Sequence, residues 1–73
     1  MEKLNENTVR TLKARDIIQN EKGKLYIVER TNDTLIKIVE MIEGVQSTIK
    51  YKHLIGYFYI GKLNEHFAFG YNF

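Results

Sequence analysis

The chain of 73 residues has no cysteine, which excludes a disulfide framework and a thiolate metal site and leaves nothing that points outside a reducing compartment. No apolar run approaches the roughly 20 residues of a membrane-crossing helix. The opening MEKLNENT lacks the basic start and apolar stretch of a signal peptide. The expectation is a cytoplasmic protein with no membrane contact. Alanine is scarce, at Ala14 and Ala68 only, while lysine, isoleucine, asparagine and tyrosine are abundant. Such usage is typical of AT-rich coding sequence and fits a low-GC bacterium or one of its phages.

Residues with catalytic chemistry are equally sparse. Ser47 is the sole serine, and His53 and His66 are the only histidines. Ser47 and His53 share a strand parity but lie roughly 20 Å apart along an extended chain, beyond any hydrogen bond. The histidines are thirteen positions apart with no acidic residue near the first. Glu65, beside His66, points the opposite way on a strand, so convergent metal ligands are not expected. Glu40 and Glu43, next to a turn, read as a solvated rim rather than an acid and a base. The stretch Gly56 to Lys62 has the outline of a phosphate-binding loop, yet large β-formers fill it and Leu63 stands where Ser or Thr is needed. These residues point away from an enzyme, with no cofactor and no metal.

The chain is long enough for one domain with a small core. Eleven basic against nine acidic residues give a formal charge of +2, too small to imply nucleic acid by itself, so distribution matters more than the sum. Glu29, Asp33, Glu40 and Glu43 make the middle acidic. Lys50, Lys52 and Lys62 meet no acid between residues 44 and 64.

Periodicity predicts an all-β domain. Residues 1–7 are polar and are expected to be flexible, and residues 8–73 form the domain. Thr8 is placed to cap a short helix through Val9 and Leu12, although an extended reading competes. Arg15 to Asn20 and Leu25 to Thr31 read as a hairpin turning at Gly23. The second of these strands is expected to be at least partly covered on both faces. Asn32-Asp33 is a turn. Thr34 to Glu43 holds Leu35, Ile36, Ile38, Val39, Met41 and Ile42, a pattern that also suits a helix. Four of the six are β-branched, so a long curved strand ending at Glu43-Gly44 is expected. Ser47 to Lys52 alternates Ile49 and Tyr51 with Thr48, Lys50 and Lys52. A turn through His53 to Gly56 then leads to a strand at Tyr57 to Ile60; if Phe58 and Ile60 point inward, Tyr57 and Tyr59 lie outside beside Lys50 and Lys52, and in the competing reading the tyrosines finish the core.

After a turn at Leu63-Asn64-Glu65, Phe67, Phe69, Tyr71 and Phe73 alternate with Ala68, Gly70 and Asn72. All four rings fall on one side of an extended chain. They either close over the domain's own core or form an edge that pairs with a second copy or another protein.

The succession Leu12-Lys13-Ala14-Arg15-Asp16-Ile17-Ile18, then Gly23, then Tyr26-Ile27-Val28, resembles the opening of SH3-like small barrels. It covers about a third of the chain and implies a barrel of five or six antiparallel strands. Arg15 stands where such openings often carry a glycine. A shorter stretch, Ile49 to Ile55, is similar to the tyrosine-lysine-histidine signature in the second Sm motif of the bacterial Sm-like RNA chaperone family. That resemblance implies that Tyr51, Lys52 and His53 stabilise a corner and contact RNA. The glycine expected in the bent second strand is missing between Leu25 and Arg30.

Two functional readings follow, neither of them enzymatic. In the first, the chain is a protein-interaction or regulatory module, such as an inhibitor of a host system, with Tyr57, Tyr59, Phe67, Phe69 and Tyr71 as the contact. In the second, Lys50, Lys52, His53 and Tyr57 bind RNA or single-stranded DNA by neutralising phosphates and stacking bases.

Overall fold

The computed structural model of the chain describes residues 2–63. Among the described residues there are six strands: β1 (Glu2–Lys3), β2 (Asp16–Gln19), β3 (Leu25–Thr31), β4 (Leu35–Glu40), β5 (Gln46–Lys50) and β6 (Phe58–Lys62). They form one sheet in the order β1-β6-β2-β3-β4-β5, every neighbouring pair antiparallel. Consecutive strands β2 to β5 pair in turn, and β6 then crosses back to lie between β1 and β2. Among the described residues the two edge strands, β1 and β5, do not pair, so the sheet is not closed by hydrogen bonds. No described helix is long and apolar enough to cross a membrane.

Short polar side chains shape the hairpins. In the β2–β3 turn the Asn20 Oδ1 accepts the N–H groups of Lys22 at 3.0 Å and Lys24 at 2.9 Å. Gly23 takes φ +88° there, a conformation that favours glycine. The β3–β4 turn repeats the device, with Asn32 Oδ1 accepting from Thr34 and Leu35.

The core lies on one face of the sheet. Ile18, Val28, Ile36 and Ile38 supply it from β2 to β4, and Leu4, Val9, Leu12, Tyr51 and Leu54 close it from the connections. Each fully buried aliphatic side chain contributes about 1.5–3 kcal/mol. β2 is buried along Asp16, Ile17 and Ile18, and thus on both of its faces.

The helix-or-strand ambiguity after residue 34 resolves as strand, as its β-branched residues indicate, but β4 ends at Glu40 and Met41 to Glu43 form a turn. The expected helix near Thr8 is a single 3₁₀ turn, Thr8–Thr11. A second, Tyr51–Leu54, begins where a strand was expected to continue. The corner therefore starts at Tyr51 and not at His53. The reason is Tyr51 itself, whose ring is buried and whose hydroxyl donates to the Asn32 carbonyl at 2.7 Å; a continuing strand would carry it away from that acceptor. The amino-terminal segment is not left out of the sheet. Glu2 and Lys3 pair with Tyr59 and Phe58, and Leu4, the one apolar residue there after Met1, enters the core.

Of the two readings of the last strand, the structure has the one in which the tyrosines finish the core. Tyr57 and Tyr59 pack against the core, and Phe58, in register with Gln19 and Lys3, takes the opposite face. A tyrosine suits this place because its ring is covered while its hydroxyl finds a partner, here the Asp16 carboxylate.

Arg15, noted above as standing in a glycine position, has φ +79°, and no other described non-glycine residue has a positive φ. Its N–H donates to the Val28 carbonyl and its carbonyl accepts from Leu63, so β3 and the end of β6 hold it there. A side chain in this region costs roughly 1–2 kcal/mol. Arg15→Gly should therefore raise stability by about 0.5–1 kcal/mol in a thermal melt. A fall in melting temperature would mean that the arginine's own interactions outweigh the strain.

Candidate functional site

The turn between β4 and β5 displays apolar side chains instead of hiding them. Ile42 is 88% exposed and Val45 58% exposed, the two most exposed large hydrophobic residues described. The backbone beneath them is firmly held. Glu40, itself buried, turns its carboxylate back so that Oε1 accepts the N–H groups of Ile42, at 3.1 Å, and Glu43. The Glu40 N–H donates to Val45, its carbonyl accepts from Gly44, and the Met41 N–H donates to Leu25. Gly44 takes the left-handed φ of +76° that lets the chain reverse. Five backbone or carboxylate hydrogen bonds thus fix a tip that projects two branched aliphatic groups into water.

The Glu43 N–H holds the Glu40 carboxyl below its ordinary value. Burial opposes this, and the Ile42 N–H, the Lys24 charge and Gly44 reinforce it. The stability this carboxylate lends the tip is complete above the unfolded value near 4.5 and is lost as pH falls through the lower folded value. Glu40→Gln keeps an acceptor oxygen but no charge. The parent's advantage in melting temperature over this variant is expected to be full at about pH 7 and to shrink below about pH 4.5. A constant difference across that range would contradict the role given to the charge.

A second polar cluster joins β2 to β6. Asp16 is 3% exposed, accepts the Lys13 N–H at 2.8 Å and the Tyr59 hydroxyl at 3.3 Å, and pairs with the Lys62 ammonium. Every contact of the carboxylate is a donor that it satisfies, as expected of a structural pin. At the far end of the sheet, the Arg10 guanidinium lies 5.0 Å from the centre of the Tyr51 ring and donates to the Asp33 carbonyl. The first 3₁₀ turn, the β3–β4 turn and the second 3₁₀ turn are tied together there.

The residues expected to bind nucleic acid divide between two grooves. His53 and Tyr57 line an open groove of about 450 Å³ together with Lys3, Glu21, Lys22 and Ile55. Lys52 lies in a different groove with Arg10 and Tyr51. Lys50 is exposed on β5, on the face away from the core, in register with Leu35. In the expected protein contact, Tyr57 and Tyr59 are half-buried, while Phe67, Phe69 and Tyr71, like His66, lie outside the described residues. Tyr57 sits 5.9 Å from Tyr26, ring centre to ring centre. Its hydroxyl pKa is pushed up, chiefly by burial and then by Tyr26, so it stays a neutral donor. No group of three or more His, Asp or Glu side chains gathers among the described residues as metal ligands do.

Sequence reading missed the tip because Ile42 continues the apolar pattern of β4. The available signal was Ile42-Glu43-Gly44-Val45 itself, two apolar residues astride a glycine reversal. Comparison with protein-family models, with curated proteins and with solved structures finds no match for this chain.

Proposed function

We propose that this chain is a non-enzymatic protein-interaction module, built as a small SH3-like barrel, that engages its partner through the β4–β5 tip. One observation carries the reading: Ile42 and Val45 are displayed to solvent on a turn that the buried Glu40 carboxylate holds rigid. Exposed aliphatic groups on a mobile loop would lose ordering entropy on binding. On a fixed turn that cost is already met by folding, so burying each side chain in a partner is worth up to about 1.5–3 kcal/mol. The exposed Glu43 between them favours a partner pocket that is apolar within and basic at its rim.

The barrel reading is supported by β6 returning to β2 rather than to β5, and by Val9, Tyr51 and Leu54 of the two 3₁₀ turns, which join the core cluster of the sheet. The AT-rich residue usage fits a low-GC bacterium or its phage, and in this reading the module acts in the cytoplasm by occupying a host protein. The test is affinity capture from such a lysate with and without nuclease. A protein partner retained after nuclease treatment is expected. Recovery that depends on intact nucleic acid, or no recovery at all, would overturn the reading.

A further inference from the structure

We propose that the groove between β1, the β2–β3 turn and the corner leading into β6 binds single-stranded nucleic acid, with Lys3 and Lys22 on the phosphates and Tyr57 against a base. This groove is separate from the β4–β5 tip, so either contact can fail without the other.

Three stretches distant in sequence meet here, which is why no local motif announces the site. Lys3 comes from β1, Lys22 from the β2–β3 turn, and His53, Ile55 and Tyr57 from the corner. Their backbones are fixed. The Leu4 N–H donates to the Tyr57 carbonyl and Gly56 donates back to Leu4, which locks β1 to the corner. Asn20 accepts the Lys22 N–H and so sets the turn that carries that lysine. Both lysines are exposed, and they line one groove of about 450 Å³ with Tyr57.

The chemistry on offer is a pair of cations beside a half-buried ring whose neutral hydroxyl bonds to none of the described residues. Ammonium groups answer phosphate charge, and an aromatic face answers a base. An acidic peptide would use the lysines and leave the ring idle. Glu21 on the same rim offsets part of the charge, so the electrostatic share is small. With about two phosphates neutralised, affinity should fall roughly sevenfold between about 50 and 200 mM salt.

The test is fluorescence anisotropy of a labelled oligodeoxythymidine of about twelve nucleotides, within the span that small barrels cover. The parent is expected to bind at micromolar protein. K3E/K22E should weaken binding at least about tenfold, and Tyr57→Leu, which keeps an apolar body against the core, about fivefold. K50E/K52E should stay within about twofold of the parent, because neither residue lines the groove. Circular dichroism checks that each variant is folded; if Tyr57→Leu is not, the lysine pair decides. Absence of any anisotropy change at about 100 μM protein would overturn the proposal. So would an equal loss from K50E/K52E, or displacement of the probe by a polyglutamate peptide of equal charge as effectively as by unlabelled oligonucleotide.

Discussion

Leu54→Ala is expected to leave the domain largely unfolded at 37 °C. Leu54 is wholly buried in the second 3₁₀ turn, within the same core cluster as Leu4, Val9, Ile18 and Ile36. Its carbonyl also accepts the Tyr57 N–H that starts the path into β6. Removing three carbons there costs about 2–5 kcal/mol, because the packing around a fully buried side chain relaxes only partly into the cavity. A domain of this size has about 3–5 kcal/mol to lose. Leu54→Met, nearly equal in volume, should cost less than about 1.5 kcal/mol. Urea titration followed by circular dichroism checks both. A loss below about 1 kcal/mol for the alanine variant would mean that the corner is not part of the core.

Asp16→Ala comes next in size. The carboxylate is buried, and its removal takes the acceptor from the Lys13 N–H and the Tyr59 hydroxyl. Each of these part-buried hydrogen bonds to an ionised acceptor is worth roughly 1–2 kcal/mol. The Lys62 ammonium adds little, since its side chain is 42% exposed. The expected total is about 2–4 kcal/mol, with the join between β2 and β6 loosened first. Asp16→Asn keeps the acceptor oxygen and should recover more than half of the loss. Equal losses for alanine and asparagine would assign the effect to the charge of the Lys62 pair instead.

Local patterns foretold the strands better than the faces. The turns at Gly23 and Asn32-Asp33 were legible because one residue type carries each: a glycine with positive φ, and an asparagine side chain that accepts two backbone N–H groups. The strained position at Arg15 was visible as a departure from the glycine of SH3-like openings. The direction of Tyr57 and Tyr59 was not legible, because β6 carries large apolar residues at both parities and only the partner strands β1 and β2 decide which face meets the core. The end of β4 was missed for a similar reason. Glutamate is not a usual turn former, and Glu40 acts as one only because it is buried with its carboxylate aimed at Ile42 and Glu43. Lys3 and Lys22 were absent from the expected nucleic-acid set since nothing in the order of residues brings β1 beside the β2–β3 turn.

The tip can be tested without disturbing what lies beneath it. Ile42 and Val45 make no part of the core, so Ile42→Asp with Val45→Asp should leave the melting temperature within about 3 °C of the parent. The decisive measurement is the affinity of this double variant, set beside the parent, for the protein recovered by nuclease-resistant capture. Two buried aliphatic side chains are worth about 3 kcal/mol or more, so a loss exceeding about 100-fold is expected. A folded double variant that binds as tightly as the parent would contradict the assignment of the β4–β5 turn as the partner contact.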